Sequence, residues 1–289
     1  MPETILDGRY TLLDAIGLGA LSKVFLARDR DGALAVAKRL HRHLAHDATC
    51  RAMAEHEARL LGAMDHPNIP RLFAYGDDPG GWCVVLERVE GVGLDAPRPR
   101  VPWPAAAEAV RQLLGTLSYV HQLAAQGAPL AVVHRDVSPA NLLVTREGRV
   151  ALVDFGIATS RWRVDPDRGV MKGTRGYMAP EVVTGARDAD ARADLFAAGV
   201  ILTELFTGRR VYEGPAPKVF DAIVEGPVVA PRALDPSVPH PLDEVAARAM
   251  QKSPEDRYGS AGEFLDALEA ALSRAGVTPS KEALGALSR

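Results

Sequence analysis

The 289-residue sequence contains only two cysteines, Cys50 and Cys83, and it has no excess of basic residues. Two cysteines cannot build a disulfide framework, so we expect reduced, partly buried thiols in a cytoplasmic protein. The formal net charge of −3 argues against nucleic acid as a partner, because nucleic-acid binding requires a basic surface.

Long apolar runs are also missing. No stretch approaches the roughly 20 apolar residues of a membrane-spanning helix, so no membrane segment is expected. The first four residues show neither the basic nor the apolar region of a signal peptide. The remaining composition, 47% hydrophobic and 25% charged, is ordinary for a globular protein with one large domain or two lobes.

Two acidic side chains and one amide lie on two short loops in the middle of the chain. Asp136 and Asn141 belong to the sequence HRDVSPAN, Asp154 begins the sequence DFG, and an apolar, strand-like run separates them. A Mg²⁺-nucleotide site needs hard oxygen ligands and a carboxylate near the attacking hydroxyl. The pattern resembles the catalytic and metal-binding loops of protein kinases, in the form typical of bacterial serine/threonine kinases.

Three short strands are predicted near the N-terminus, over residues 10–16, 23–28 and 33–39. The first turn reads GLGALS, and glycines there allow backbone N–H groups to approach phosphate oxygens. Alone this is a weak signal. In this context it resembles the kinase glycine-rich loop, with Val24 covering the adenine and Ser22 in place of the third glycine.

Lys38 ends the third predicted strand and resembles the kinase lysine that binds the α- and β-phosphates. Such a lysine needs a carboxylate partner, and the predicted helix over 48–64 contains both Glu55 and Glu57. The position of the HPNI sequence that follows this helix favours Glu57, and Glu55 is the alternative.

The apolar strand over 82–89 resembles the kinase hinge. Leu86 would be the gatekeeper beside the adenine, and the backbone of Glu87 and Val89 would hydrogen-bond to the base. The resemblance implies an ATP site formed by Gly17, Gly19, Ser22, Val24, Ala35, Lys38, Leu86, Glu87, Val89 and Leu143.

Later motifs continue the resemblance. The segment between DFG and the Ala-Pro-Glu at 179–181 resembles an activation segment, although residues 162–171 contain no serine, threonine or tyrosine. Control by phosphorylation of this segment is therefore less expected here than is usual in the kinase family. Thr174 resembles the family threonine that contacts the catalytic aspartate. Asp194 resembles the aspartate that holds the catalytic loop, and Arg257 resembles the arginine that pairs with Glu181.

The resemblance covers about residues 8–272 and implies an α+β fold with two lobes. It predicts an N-terminal lobe (1–88) with an antiparallel sheet and one helix, a mainly helical C-terminal lobe (89–273), and a tail (274–289) with a short helix. Within the second lobe, periodicity predicts a helix over 103–125, a loop over 126–130 and a closing helix over 262–273.

The implied activity is transfer of the γ-phosphoryl group of Mg-ATP to serine and threonine hydroxyls of a protein substrate, in bacterial signalling. Lys38, held by Glu57, would bind the phosphates. Asn141 and Asp154 would bind Mg²⁺, with Mn²⁺ as the alternative metal. Asp136 would orient the acceptor hydroxyl and accept its proton.

Ser138 stands where most serine/threonine kinases have a lysine that contacts the γ-phosphate. Together with Ser22 and the segment without phosphorylatable residues, it leaves open a pseudokinase, a nucleotide-binding scaffold with little transfer activity. The complete set of metal-binding and proton-handling residues favours an active kinase instead. A small-molecule phosphotransferase is disfavoured, because residues 173–181 resemble the peptide-binding platform of protein kinases.

Overall fold

The computed structural model describes residues 3–95, 100–162, 171–186 and 189–288. The chain divides into two compact units, residues 1–89 and residues 90–289, which we name the N-unit and the C-unit.

The N-unit is built on one antiparallel sheet. Its strands are β1 (Thr4–Ile5), β2 (Tyr10–Leu18), β3 (Ser22–Asp29), β4 (Leu34–Leu40), β5 (Leu72–Gly76) and β6 (Cys83–Glu87). They lie in the order β1-β2-β3-β4-β6-β5. Alternate residues of the central strands, including Phe25, Ala27, Ala35 and Ala37, are buried in one cluster, because successive side chains of a strand point to opposite faces.

One α-helix, α1 (Ala48–Gly62), packs against β5 in the N-unit. It begins where the Asp47 carboxylate accepts a hydrogen bond from the Cys50 N–H at 2.8 Å. Met53, Leu60 and Leu61 are buried on its inner face, and so is Glu57. The predicted N-terminal antiparallel sheet with one helix is confirmed.

The C-unit is mainly helical, as predicted. Its helices are α2 (Trp103–His121), α3 (Pro180–Val183), α4 (Arg192–Thr207), α5 (Ala216–Val224), α6 (Pro231–Leu234), α7 (His240–Ala249), α8 (Ala261–Ala275) and α9 (Lys281–Gly285). Short 3-10 turns cover Pro139–Asn141, Pro254–Asp256 and Ala286–Ser288.

Five short strands complete the described part of the C-unit. They are β7 (Gly91–Gly93), β8 (Ala124–Ala125), β9 (Ala128–Pro129), β10 (Leu142–Thr145) and β11 (Val150–Leu152). β11, β10 and β7 form an antiparallel sheet in that order, and β8 pairs with β9.

The core of the C-unit is organised around α4, which packs against α2, α6 and α7. Almost every residue of α4 is buried, and Leu195, Phe196 and Val200 are fully so. The helix ends at Gly208, whose φ of +70° is the left-handed conformation that glycine adopts most easily.

The predicted helix over 103–125 was wrong at its C-terminal end. α2 ends at His121, and Ala124–Ala125 pair with Ala128–Pro129 across a two-residue turn. Gln126 and Gly127 both have positive φ, +52° and +78°, as the tight turns that join antiparallel strands require.

The C-terminal tail forms α9, which packs against α2 and β10. The Ser280 hydroxyl caps this helix by accepting a hydrogen bond from the Ala283 N–H at 3.1 Å. Leu284 is fully buried. Among the described residues, no helix combines the length and the apolar character needed to cross a membrane.

Candidate active site

Lys38 and Glu57 form a direct ion pair inside the N-unit. The Lys38 Nζ lies 2.8 and 3.1 Å from the two carboxylate oxygens of Glu57. Glu57 is only 4% exposed, because it lies on the inner face of α1. Glu55 is exposed and instead binds Arg51. The structure therefore brings Lys38 together with Glu57, and Glu55 is bonded elsewhere.

The glycine-rich turn joins β2 to β3. The Gly19 N–H donates to the Ser22 carbonyl at 2.8 Å, and a Cβ on Gly19 would lie 3.3 Å from that oxygen. A side chain at Gly17 would lie 3.4 Å from the Cβ of Val24. A side chain at Gly19 would therefore be tight against the Ser22 carbonyl, whereas one at Gly17 would make an ordinary van der Waals contact.

His41 makes a contact with this turn that the sequence did not indicate. Its Nε2 lies 2.9 Å from the carbonyl oxygen of Gly19. His41 follows β4 in sequence, so the contact ties the end of the strand that carries Lys38 to the glycine-rich turn.

The three predicted hinge residues lie at the end of the sheet. Leu86 and Glu87 are the last residues of β6, Glu87 is paired with Ala35 of β4, and Val89 follows. The Glu87 N–H donates to the Arg71 carbonyl at 2.8 Å. A base bound here would therefore hydrogen-bond to backbone groups of this segment other than the Glu87 N–H.

In the C-unit, Asp136 is held by three donors. Its Oδ1 accepts hydrogen bonds from the Thr174 N–H at 2.7 Å and the Thr174 hydroxyl at 2.6 Å. Its Oδ2 accepts one from the Asn141 Nδ2 at 2.8 Å. The structure thus brings the predicted residues Asp136 and Asn141 together and fixes the carboxylate in one orientation.

Asp154 is held near the loop that carries Asn141. The N–H of the preceding residue, Val153, donates to the Asn141 carbonyl at 2.9 Å. The φ of Asp154, +63°, is unusual for a residue other than glycine. Its Oδ1 accepts the Gly156 N–H at 3.1 Å. Leu143 lies on the intervening strand β10, opposite Ala151 of β11.

The loop before Asp136 is anchored by the fully buried Asp194. This carboxylate accepts hydrogen bonds, each 2.9 Å long, from the backbone N–H groups of His134 and Arg135 and from His121 Nε2. Burial alone would raise the pKa of Asp194, but the hydrogen bond from His121 and that from the His134 backbone N–H keep it below its ordinary value.

The sequence motifs predicted Asp194 but gave no role to His121. A histidine in the last turn of the helix that precedes the HRD loop was the available signal.

Glu181 and Arg257 form a bidentate pair with two N–O distances of 2.7 Å. The Arg257 side chain is fully buried and also donates to the carbonyls of Gln251, Arg192 and Lys252. This pair is the one that the sequence motifs predict. Removing one partner would leave an uncompensated buried charge.

The atoms around Asn141 and Asp154 suit a divalent cation. The amide nitrogen of Asn141 donates to the carbonyl and to the carboxylate of Asp136. The amide oxygen is therefore the atom of this side chain that can bind a metal. An amide oxygen and a carboxylate are hard ligands of the kind that Mg²⁺ and Mn²⁺ prefer.

Residues 163–170 of the predicted activation segment lie outside the described residues. The segment after them, from Met171, brings Thr174 to Asp136 as described above.

Comparison with protein families finds a match to the model described as "Protein kinase domain" over residues 10–268. Among curated proteins, the chain is 37% identical over 280 residues to the tyrosine-protein kinase MasK of Myxococcus xanthus, covering 92% of this chain and 43% of that protein. It is 34% identical over 273 residues to the serine/threonine-protein kinase PknH of Mycobacterium tuberculosis, covering 92% and 42%.

A third relative is the serine/threonine-protein kinase PksC of Streptomyces coelicolor, 33% identical over 281 residues, with 91% of this chain and 49% of that protein covered. The chain therefore spans less than half the length of these curated relatives. Their names specify different acceptor hydroxyls, of tyrosine in one case and of serine or threonine in the others.

Proposed function

The chain belongs to the protein kinase domain family, as its motifs predicted, and from this premise we propose that it transfers the γ-phosphoryl group of ATP to serine and threonine hydroxyls of proteins. Membership of the family implies the use of ATP and a divalent metal ion. We propose Mg²⁺ as the ion, with Mn²⁺ as a substitute, held by Asn141 and Asp154. A divalent ion held by these two side chains would supply positive charge to offset the negative charge of the phosphate groups.

Lys38 is the proposed ligand of the α- and β-phosphates. The 2.8 Å ion pair with the buried Glu57 supports this role, because it fixes an otherwise flexible ammonium group in one position. The glycine-rich turn, Leu86 and the backbone near Val89 would hold the rest of the nucleotide.

The observation that carries the proposal is the environment of Asp136. Thr174 and Asn141 donate three hydrogen bonds to this carboxylate and so orient it. Oriented in this way, Asp136 would accept the proton of the attacking hydroxyl while the γ-phosphoryl group is transferred in line. Positioning and electrostatics supply most of the rate enhancement in such a reaction.

Serine and threonine are the proposed acceptors for two reasons. Two of the three relatives compared above are named serine/threonine-protein kinases. In addition, Thr174 donates two hydrogen bonds to Asp136, and a threonine that contacts the catalytic aspartate resembles a feature of serine/threonine kinases. We place the reaction in the cytoplasm, where ATP is present and thiols such as Cys50 and Cys83 stay reduced, as part of bacterial signalling.

The proposal is tested by phosphate incorporation from γ-labelled ATP into the protein itself and into a generic basic protein, in Mg²⁺ and separately in Mn²⁺. Phosphoamino-acid analysis then identifies the acceptor. We expect phosphoserine and phosphothreonine. Phosphotyrosine alone would contradict the acceptor class, and thermal stabilisation by ATP without any incorporation would favour the nucleotide-binding scaffold instead.

A further inference from the structure

The glycine-rich turn, residues 18–22, has little packing to hold its shape. Leu18 is 79% exposed, and Gly19 and Ala20 are exposed as well. The two strands that lead to the turn pair irregularly, because the β2–β3 register shifts twice between Leu12 and Gly17. An exposed turn on an irregular hairpin buries too little apolar surface to fix its own conformation. Its order therefore depends on the hydrogen bonds that its backbone makes.

His41 makes two of these hydrogen bonds. Its backbone N–H donates to the Leu21 carbonyl at 2.9 Å, and its Nε2 lies 2.9 Å from the Gly19 carbonyl oxygen. A carbonyl oxygen can only accept, so Nε2 carries the proton and donates it. One residue outside the turn thus binds two carbonyl groups that are two positions apart within it.

The imidazole ring of His41 is itself held in place. It is partly buried, and it stacks on the ring of His43 at a centroid distance of 5.5 Å and an interplanar angle of 14°. His41 directly follows β4, whose last residue, Leu40, is 4% exposed and donates its N–H to the Trp82 carbonyl at 2.9 Å. The strand that carries Lys38 therefore also carries the donor that holds the turn.

These contacts decide which polar groups of the turn remain available. His41 binds the carbonyls of Gly19 and Leu21, and the Gly19 N–H donates to the Ser22 carbonyl. The N–H groups of Ala20 and Leu21 have no acceptor among the described residues. Carbonyl oxygens repel a phosphate group and N–H groups attract it. The turn is thus kept in a state in which two carbonyls are engaged and two donors are free.

We propose that His41 is a positioning residue for the nucleotide, which orders the glycine-rich turn before the phosphates bind. The inference rests on the proposed kinase function and adds a residue that lies outside the sequence motifs. Without the Nε2 donor, the exposed turn would have to be ordered during binding, and this cost would weaken the affinity for the nucleotide. The same cost applies to the ground state and the transition state, so KM for ATP should rise while kcat changes little.

His41→Phe tests the proposal, because it keeps a flat ring beside His43 and removes the donor. We expect its KM for ATP to rise about fivefold, as the loss of one hydrogen bond predicts, with kcat within about twofold of the wild type. His41→Gln carries an amide N–H that can also donate, and it should restore KM to within about twofold. His46→Phe, at an exposed histidine of the same β4–α1 connection, is the matched control and should keep the wild-type KM.

Calorimetric binding gives a second readout that does not need phosphate transfer. ATP with Mg²⁺ is compared with adenosine, which has no phosphate groups and so makes no use of the free N–H groups of the turn. His41→Phe should weaken ATP binding about fivefold and leave the Kd of adenosine unchanged. Equal weakening of both ligands would indicate a general structural defect and would overturn the inference. An unchanged KM in His41→Phe, or no recovery in His41→Gln, would overturn it as well.

The two proposals fail in different ways. If the wild type binds ATP but transfers no phosphate to any acceptor, the proposed function fails, while the comparison of ATP with adenosine still decides the role of His41. If the wild type transfers phosphate and His41→Phe has the same KM for ATP, only the role of His41 is removed.

Discussion

Glu55 and Glu57 are two residues apart on one helix, and their surroundings separate their roles. Glu57 is buried and lies within 2.8 Å of the Lys38 ammonium group. Glu55 is exposed and pairs with Arg51 on the surface, where an ion pair contributes little. A helix turns by about 100° per residue, so side chains two positions apart point about 200° apart, one toward the core and the other toward the solvent.

Glu57→Gln should lower kcat/KM for ATP at least tenfold, because Lys38 then loses the charge that holds it. Glu55→Gln on the same helix is the control and should stay within about twofold of the wild type. Steady-state kinetics with ATP as the varied substrate measures both. Equal losses in the two variants would contradict the role of Glu57.

At the scale of single residues, the sequence identified those functional residues that belong to a recognisable motif. Asp136 and Asn141 are five residues apart in one loop, so their proximity could be predicted. His121 could not be assigned in this way, because it binds Asp194, which is 73 residues away in the sequence.

Among the elements, the hairpin of β10 and β11 carries Asn141 before its first strand and Asp154 after its second. Its turn is in close contact with the C-terminal tail. A Cβ on Gly148, which has a φ of +74°, would overlap the backbone of Lys281, with the carbonyl carbon at 2.8 Å. Gln112 of α2 bonds the same turn through the Gly148 carbonyl and the Val150 N–H.

Gly148→Ala should therefore destabilise the protein more than a glycine substitution in open space. Gly127→Ala is the matched control, since Gly127 has a φ of +78° and a Cβ added there would have no described atom within 4 Å. Both variants bear the strain of positive φ, about 1 kcal/mol. Gly148→Ala should lose about 2 kcal/mol more, because backbone atoms must move apart.

Urea unfolding followed by circular dichroism measures the two losses. Similar unfolding free energies for the two variants would show that the tail does not contact the hairpin turn closely enough to exclude a side chain at position 148.

The elements predicted best are those with a clear periodicity of apolar residues or with a helix-capping residue. α1 begins after Asp47 and α8 begins after Ser260, whose side chains cap the two helices. The end of α2 was missed, because the hairpin over 124–129 depends on positive φ at Gln126, a residue type that rarely adopts it. The three-residue strand β7 is too short to give a periodic signal.

On the scale of the whole molecule, buried titratable groups make stability depend on pH. His134 is fully buried, and burial lowers its pKa, although nearby carboxylates oppose this effect. A histidine of the unfolded chain binds a proton below about pH 6.5, whereas the folded His134 stays neutral there. Its contribution to stability is therefore lost as the pH falls from 6.5 toward the lower pKa of the folded state.

Between pH 6.5 and 5.5, His134 should make the unfolding free energy of the wild type fall by up to about 1.4 kcal/mol per pH unit. Urea titrations at several pH values measure this slope. His134→Asn should have a smaller slope, and His46→Asn, which replaces an exposed histidine, should keep the wild-type slope. Asp194 affects the unfolding free energy in a lower pH range, because its pKa lies below its ordinary value. A slope that is the same in all three proteins would contradict the prediction.

The central claim, that this chain is a phosphotransferase with Asp136 as its base, is tested most directly by comparing Asp136→Asn with the wild type in the transfer assay. The control is Asp31→Asn, which makes the same change on an exposed turn. We predict that Asp136→Asn loses at least about 10²-fold in kcat, while the control retains wild-type activity. Phosphate transfer by Asp136→Asn at the wild-type rate would contradict the account.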